Sequence, residues 1–283
     1  MTTGPITDDL TTLMLQSELP FYLQVAKEAA QEAGGILRRN FNAFKIAVFK
    51  SESDVALPDE KFSERVIVER LQTVVTDHQI QVENRTVLGT ASDYRWYIDP
   101  LDGTNNYHAG IAYFSVSLSL SYQGMPVLGV VYNPITNQLF SATKGQGAFL
   151  NDRPIGPVTS RPLIDSSVSF IRGLPRPEHD PIEQKSRAIE FALRAHSRRT
   201  FTMWAPALDW CLLASGGIEG IVVQENPLES QLCGIVIAQE AGCLVTDHSG
   251  EPFSNTAKNP MNSLVSSSSL VHGQLLKLLS KSS

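Results

Sequence analysis

Cysteine is scarce in this chain of 283 residues, and its few positions follow no recognisable pattern. The three cysteines, Cys211, Cys233 and Cys243, stand in apolar segments, and no Cys-x-x-Cys spacing or histidine-rich segment accompanies them. This excludes a scaffold stabilised by disulfides. We therefore expect buried free thiols in a protein of a reducing compartment.

Long basic runs and long apolar runs are absent as well. The net charge of −6 argues against nucleic acid or an anionic membrane as the main partner. No apolar stretch is long enough to span a bilayer, and the first residues lack the basic start and apolar run of a signal peptide. We expect a cytoplasmic protein that binds neither nucleic acid nor membranes. An acidic protein that handles an anionic substrate needs local positive charge, which a bound cation would supply.

The chain does contain enough apolar residues, 42%, for a folded core in one large domain or two closely packed halves. Apolar residues at helical spacing predict helices over residues 19–41 and 60–76, before the first clear strands. Alternation of period two between residues 95 and 148 predicts a meander of antiparallel strands. After a Pro-rich segment near Asn151, helices and strands alternate, which is typical of layered α/β proteins.

The segment WYIDPLDGTNNYHAG ends a predicted buried strand with two carboxylates, Asp99 and Asp102. Asp, Gly and Asn all favour turns, so one interpretation is a solvated turn. The other is a metal site, because carboxylate and carbonyl oxygens are the ligands that hard cations prefer. Gly103 and Thr104 then open a predicted helix, whose first N–H groups would face a phosphate.

Five segments together resemble the inositol monophosphatase family of metal-dependent, lithium-sensitive phosphatases: WYIDPLDGTNNYHAGIAYFSVSLSL, VLGVVYNP, KGQGAFLN, LASGGIEG and EAGCLVTDHSGEPF. The resemblance runs from about Leu19 to Phe253. It implies an α/β fold, an alternating α-β-α-β-α sandwich. The N-terminal half, 1–155, would hold an antiparallel sheet with two helices, and the C-terminal half, 156–283, a mixed sheet with flanking helices.

The same resemblance implies a Mg²⁺-dependent phosphomonoesterase, with Mn²⁺ as a substitute and Li⁺ as an inhibitor. Its substrate would be a small phosphorylated metabolite, and its assembly a homodimer. Phosphate monoester hydrolysis needs an activated water, neutralised phosphoryl oxygens and a stabilised leaving oxygen, which two hard cations about 3.5–4 Å apart provide. The resemblance places the metal ligands at Glu83, Asp99, the carbonyl of Leu101 and Asp102.

The same resemblance implies that Asp59 with Thr104, together with Glu83, activates the attacking water. An alternative for Asp59 is the N-cap of the second predicted helix. Two neighbours depart from the family pattern. Ala56 stands near Asp59 in place of a usual threonine, and Asn84 stands in place of the second residue of a usual Glu-Glu pair.

The largest departure is Ser230, which stands where the family has a metal-binding aspartate, ten residues before Glu240. Glu229 beside it offers a substitute, but adjacent side chains at a helix start point about 100° apart. Loss of an outer partner of a metal site typically costs about 10–100-fold in affinity, so loss of a ligand costs at least as much. The sequence leaves open whether the second site is occupied and whether Glu229 serves it.

The resemblance implies six substrate-binding residues: Asp102, Gly103, Thr104, Trp204, Ala205 and Asp209. Trp204 stands where the family has a small residue, and Val223 stands where a sugar-binding glutamate is common. Trp204 belongs either to the core or to a pocket wall, and in the second case an aromatic or apolar alcohol fits better than inositol. Lys144–Gly147 resembles a phosphate loop, but its place between two strands favours a hairpin.

Two functions therefore stay open. The first is a Mg²⁺-dependent phosphomonoesterase with a weak second metal site, which is favoured by the retained Glu83, Asp99, Asp102, Gly103 and Thr104. The second is a catalytically weak or silent member of the family that binds a phosphorylated ligand or a partner protein. Ser230 and Ala56 favour this second function.

Overall fold

The computed structural model describes residues 6–41, 48–51, 54–82, 85–89, 92–157, 161–254, 261–266 and 269–281. Glu83, a predicted metal ligand, and its neighbour Asn84 lie outside the described residues. The helices of the described part are α1 (Ile6–Asn40), α2 (Pro58–Gln72), α3 (Thr104–Ala109), α4 (Pro181–His196), α5 (Pro206–Ala214), α6 (Leu232–Glu240) and α7 (Ser269–Leu279). The two helices predicted first along the chain are therefore present, as α1 and α2.

A short hairpin lies between these two helices. Its strands are β1 (Val48–Ser51) and β2 (Asp54–Ala56), which pair in antiparallel register. The expectation that α1 and α2 both precede the first strands was therefore wrong. Strands of three or four residues are too short to show a clear alternation of period two.

The first large sheet is built from β3 (Gln79–Val82), β4 (Arg85–Leu88), β5 (Tyr94–Asp102), β6 (Ser115–Tyr122), β7 (Met125–Asn133), β8 (Gln138–Thr143), β9 (Ala148–Leu150) and β10 (Arg153–Pro154). Their order is β10-β9-β8-β7-β6-β5-β3-β4. Strands β5 to β10 pair antiparallel in sequence, so the predicted meander is confirmed. The predicted antiparallel sheet also contains one parallel pair near its edge, where β3 and β5 run in the same direction. They do so because β4 folds back on β3 between them.

The second large sheet is mixed, as predicted. Its strands are β11 (Ser167–Arg172), β12 (Arg199–Phe201), β13 (Gly220–Asn226), β14 (Leu244–Asp247) and β15 (Met261–Ser266), in the order β12-β11-β13-β15-β14. Strand β11 pairs in parallel with both β12 and β13, whereas β15 pairs antiparallel with both β13 and β14.

Three buried clusters join the sheets and helices into five layers. The first cluster packs α1 and α2 on one face of the first sheet. The second joins the other face of that sheet, through Val131 and Phe140, to α5, α6 and the inner face of the second sheet. The third packs α4 and α7 on the outer face of the second sheet. The order α-β-α-β-α confirms the predicted fold class, while the division of the chain at residue 155 stays a prediction.

Strand β6 shows how the sequence pattern places the two faces of the first sheet. Val116, Leu118 and Leu120 belong to the cluster under α1 and α2. Ser117 and Ser119 point to the other face, because successive side chains of a strand alternate. Small hydroxyl side chains leave space there, and part of this space becomes the cavity described below.

The three thiols, Cys211, Cys233 and Cys243, are buried and form no disulfide. Burial raises the pKa of both Cys233 and Cys243 to about 12, so both stay protonated at neutral pH. In the part of the chain that the structure describes, no helix combines the length and apolarity needed to cross a bilayer.

The close packing of α5 on α6 generates a test of the layered core. A Cβ added at Gly234 of α6 would lie 2.2 Å from Cγ of Trp210, a fully buried side chain of α5. Gly234→Ala should therefore destabilise the protein by about 1–3 kcal/mol, the usual cost of overpacking a core. Urea unfolding measures this cost.

Gly273 of α7 provides the matched control, since a Cβ there meets no heavy atom within 4 Å. Gly273→Ala should be neutral or stabilise by up to about 1 kcal/mol, because alanine favours the helix. Equal effects of the two substitutions would contradict the packing of α5 on α6.

Candidate active site

A β-bulge near the end of β5 brings two carboxylates to one face of the first sheet. Asp99 pairs with Ser117 of β6, whereas Asp102 pairs with Ser115. Three steps along β5 therefore match two along β6, and the extra residue defines a bulge. In a regular strand, side chains three residues apart point to opposite faces. Because of the bulge, Asp99 and Asp102 both line the same cavity.

Three hydrogen bonds hold the bulge in shape. Ser63 Oγ of α2 donates to the carbonyl of Pro100 over 2.7 Å. The N–H of Leu101 donates to Asp99 Oδ1 over 3.1 Å, and Thr104 Oγ1 donates to the carbonyl of Leu101 over 2.9 Å. A carbonyl oxygen has two lone pairs, so that of Leu101 can also serve a cation.

Asp102 is almost completely buried, with 4% of its surface exposed, and the two residues before it are buried as well. The interpretation of this segment as a solvated turn was therefore wrong. Asp102 Oδ2 accepts hydrogen bonds from Ser115 Oγ at 3.1 Å and from the N–H of Ala207 at 3.2 Å. Burial, and then the charge of Asp99, raises the pKa of Asp102 well above its usual range. A cation beside both carboxylates would offset both effects.

Gly103 allows the segment before α5 to approach the bulge. Its φ of 84° lies in the left-handed region, and an added Cβ would lie 3.0 Å from the carbonyl of Tyr113 and 3.1 Å from Cβ of Ala205. Asn106 Nδ2 lies within hydrogen-bond distance of the carbonyl of Tyr113, at 2.8 Å, and of Met203, at 2.7 Å. These contacts fix Ala205, a predicted substrate-binding residue that is completely buried, against the bulge.

The bulge forms one wall of a cavity of about 480 Å³, a volume that suits a small ligand. Thr104, the first residue of α3, lines it too. Much of the remaining wall comes from the last residues of β11 and β13 and from the segments that follow β11, β12 and β13: Arg172, Gly173, Leu174, Thr202, Trp204, Ala205, Pro206, Asp209, Asn226, Pro227, Glu229 and Ser230. The structure therefore brings Asp99, Leu101, Asp102, Gly103, Thr104, Trp204, Ala205 and Asp209 to one cavity.

Asp59 lies behind α3 rather than in the cavity wall. It is the second residue of α2, whose N-cap is Leu57, so Asp59 is not the N-cap. Its Oδ1 accepts from Asn40 Nδ2 over 2.8 Å, and its Oδ2 accepts from the Tyr107 hydroxyl over 2.9 Å. The Thr104 hydroxyl donates to Leu101 instead. Activation of water by the pair of Asp59 and Thr104 stays a prediction.

Ser230 lies in a short 3-10 turn after β13 and makes neutral hydrogen bonds within that turn. Its Oγ lies 2.9 Å from both Asn226 Oδ1 and the carbonyl of Pro227, and it accepts from Gln231 Nε2 over 2.9 Å. Gln231 is completely buried and accepts from Trp210 Nε1 over 2.6 Å. The turn is therefore held by a buried amide rather than by a metal ligand.

Trp204 is not a core residue: 40% of its surface is exposed, and it lines the cavity. Val223 is completely buried. Asp209 has 1% of its surface exposed, and its two oxygens accept from the Tyr113 hydroxyl over 2.8 Å and from Ser169 Oγ over 2.5 Å. Asp209 thus ties α5 to the chain before β6 and to β11.

The segment Lys144–Gly147 forms a hairpin between β8 and β9, as its position predicts. The N–H groups of Gly145 and Gly147 each donate to the carboxylate of Glu240 over 2.8 Å. A carboxylate of the protein therefore occupies the place that a phosphate would take in a phosphate loop.

The donors around the bulge fit a sparsely ligated divalent cation. Within the described residues, no three acidic, histidine or cysteine side chains come together as a metal site. The bulge offers Asp99, Asp102 and the carbonyl of Leu101, and Mg²⁺ is commonly held by one or two carboxylates together with substrate phosphate and water. Glu83, the remaining predicted ligand, lies outside the described residues.

Comparison with known proteins shows which family this chain is similar to. Residues 19–283 match the model of the inositol monophosphatase family. A fructose-1,6-bisphosphatase/inositol-1-monophosphatase of Aquifex aeolicus is 32% identical over 92% of this chain and 96% of its own length. The Nus factor SuhB of Haemophilus influenzae is 36% identical over 80% of this chain and 84% of its own length.

The fold is matched by solved structures of similar proteins. The crystal structure of the extragenic suppressor protein suhB from Bartonella henselae superposes with a TM-score of 0.83 at 28% sequence identity. The match covers 92% of this chain and 98% of that one.

Asp209 generates a prediction about the pH dependence of stability. Burial raises its pKa from 3.8 to about 7 in the folded protein. The folded state therefore binds this proton more tightly than the unfolded state, and the contribution of Asp209 to stability falls as the pH rises from about 4 to about 7. Asp209→Asn removes that contribution. Urea unfolding in chelator should show wild type losing stability relative to the variant between about pH 4 and pH 7. If the difference in unfolding free energy between wild type and Asp209→Asn stayed constant across this range, the raised pKa of Asp209 would be contradicted.

Proposed function

The chain belongs to the inositol monophosphatase family, and on that premise we propose that it is a Mg²⁺-dependent phosphomonoesterase acting on a small phosphorylated metabolite. Mn²⁺ is the expected substitute and Li⁺ the expected inhibitor. The proposal includes the cytoplasm as the compartment, because the three thiols are buried and free, and a homodimer as the assembly, on family resemblance alone.

The observation that carries this proposal is the bulge of β5. It places Asp99 and Asp102 on the wall of one cavity, where burial and mutual repulsion favour a bound cation. A cation held there by Asp99, the carbonyl of Leu101 and Asp102, with Glu83 as a further ligand, would neutralise phosphoryl oxygens and acidify the attacking water. Ser115 and the N–H of Ala207 already hold Oδ2 of Asp102, which leaves Oδ1 for the cation.

The protein's own residues would orient the reactants around this site. Thr104 opens α3, and Tyr107 one turn later contacts Asp59 through its hydroxyl. Asp59 is therefore tied to the helix that carries Thr104, which supports a shared role in orienting water. Gly103 lines the cavity beside Thr104, so its backbone is available to a phosphate bound there.

A second candidate function has support of its own. Ser230 makes neutral hydrogen bonds at the position where the family has a metal-binding aspartate, and a relative at 36% identity is named as a Nus factor rather than as a phosphatase. This candidate is a weak or silent family member that binds a phosphorylated ligand or a partner protein. Phosphate release from a panel of monoesters, with Mg²⁺ or Mn²⁺ and with chelator, separates the two functions.

Asp99→Asn tests the metal site directly. Asparagine keeps the oxygen that accepts from the N–H of Leu101, so the bulge should survive while the anionic ligand is lost. We expect loss of Mg²⁺ binding in calorimetry and a fall in phosphatase activity of about a hundredfold or more, beyond the cost of losing an outer partner.

The matched control is Asp93→Asn, an exposed aspartate just before β5. It should leave both Mg²⁺ affinity and activity near those of wild type. Unchanged Mg²⁺ affinity in Asp99→Asn would contradict the assignment of Asp99 as a metal ligand.

Ser230→Asp tests the second metal site. The new carboxylate lines the same cavity as Asp99 and Asp102, so the Mg²⁺ concentration needed for half-maximal activity should fall at least about tenfold, equivalent to about 1.4 kcal/mol. If Glu229 already acts as the ligand, the added charge brings no gain and Glu229→Gln alone lowers Mg²⁺ affinity. No effect in either variant would mean that this turn does not reach the metal.

A further inference from the structure

Part of the cavity wall presents an aromatic and an aliphatic side chain, those of Trp204 and Leu174. We propose that this surface binds the alcohol part of the substrate, and that this part is an aryl or arylalkyl group rather than a polyol. The inference rests on the proposed phosphomonoesterase function and names the substrate class for the same site. It stands on three observations: the exposed indole of Trp204, the exposure of Leu174, and the internal hydrogen bonds of Asp209 and Asn226.

Trp204 is held rigidly next to the phosphate-binding segment. On one side of it, the carbonyl of Met203 accepts from Asn106 Nδ2 over 2.7 Å. On the other side, Ala205 is completely buried against Gly103. Anchors on both neighbours fix the backbone at Trp204 relative to α3.

The backbone of Trp204 is strained, and its side chain is exposed. Its φ of 55° lies in the left-handed region, which is rare for a bulky side chain. Strain of this kind persists only when the surroundings impose it, and it is concentrated at ligand sites. With 40% of its surface exposed, Trp204 keeps a substantial apolar area that a ligand in the cavity can cover.

Leu174 adds an aliphatic contact to the same cavity. It follows β11, lines the cavity and has 50% of its surface exposed. Two large apolar side chains exposed at one small cavity favour an apolar occupant, because burying them removes apolar surface from water. An aryl group also gains from stacking on the indole.

Two polar side chains that line the same cavity, those of Asp209 and Asn226, form hydrogen bonds within the protein. Both oxygens of Asp209 accept hydrogen bonds, from Tyr113 and Ser169. The amide of Asn226 accepts from Ser230 Oγ and donates to the carbonyl of Arg172. These groups already have partners within the protein, so only their remaining lone pairs are left for the hydroxyls of a polyol, and hydroxyls left unsatisfied in a cavity are costly.

Two further wall residues give a polyol little support. Arg172 has a side chain only 13% exposed and forms an ion pair with Glu183 of α4. Val223, where the family often has a sugar-binding glutamate, is apolar and completely buried. Among the described wall residues, Arg172 Nε and Thr202 Oγ1 are polar atoms without a hydrogen-bond partner, but both are buried from solvent. The wall thus offers an aryl group the exposed apolar surface of Trp204 and Leu174.

Tryptophan fluorescence provides a binding test that does not require turnover. Of the three tryptophans, Trp96 and Trp210 are completely buried, so acrylamide quenching reports mainly on Trp204. Addition of 2-phenylethyl phosphate should protect Trp204 from acrylamide, whereas myo-inositol 1-phosphate at the same concentration should not. Equal protection by the two esters, or none by the aryl ester, would overturn the inference.

Kinetics with three variants tests the same surface during hydrolysis. The kcat/KM of wild type should be at least about tenfold higher for 2-phenylethyl phosphate than for myo-inositol 1-phosphate, and Trp204→Ala should remove most of this preference. Trp204→Phe keeps an aromatic ring and should retain it. The matched control is Phe191→Ala, which truncates an aromatic residue of α4 that is 76% exposed and lies outside the cavity. It should leave kcat/KM for both esters unchanged.

The outcomes separate this inference from the proposed function. If no monoester is hydrolysed, the phosphatase proposal fails, and calorimetric binding of the two esters then decides the substrate class alone. Tighter binding of the aryl ester that is lost in Trp204→Ala supports the inference in either case. A preference for the inositol ester that depends on Glu229, or an equal loss for both esters in Trp204→Ala, overturns it.

Discussion

The candidate site depends on one constraint, the extra residue that the bulge inserts into β5. It shifts the pairing of β5 with β6 by one residue between Asp99 and Asp102, so that both carboxylates face the cavity. A helix behind the sheet keeps the bulge in place, because Ser63 of α2 donates to the carbonyl of Pro100. Without the bulge, one carboxylate would point into the core under α1 and α2, where an unpaired charge is costly.

Two carboxylates close together at the bulge lower the stability of the fold, and neighbouring groups reduce this loss. Asp102 is buried beside Asp99, and two hydrogen bonds to its Oδ2 offset part of its desolvation. A bound divalent cation would offset the rest, so ligand binding and stability are coupled at this site. Strain at Trp204 belongs to the same arrangement, since backbone strain is commonly retained where a ligand binds.

Local patterns in the sequence predict much of this structure. Helical spacing predicts α1 and α2, alternation predicts the meander from β5 to β9, and the motif around Asp99 identifies the cavity. Features that depend on contacts between residues distant in sequence cannot be predicted from these local patterns. The parallel pairing of β3 with β5, the short β1–β2 hairpin and the bulge itself follow from how segments meet in space. The same holds for Gln231, whose buried amide fixes the turn of Ser230 through Trp210. Ser115 was missed for another reason, because it reads as one more serine in an alternating strand.

The central claim is that the bulge of β5 holds a divalent cation, and anomalous X-ray scattering from crystals soaked in Mn²⁺ tests it most directly. The account predicts an anomalous peak in contact with the carboxylates of Asp99 and Asp102 and with the carbonyl of Leu101. Absence of a peak there at saturating Mn²⁺, or a peak held only by residues outside the cavity, would contradict it.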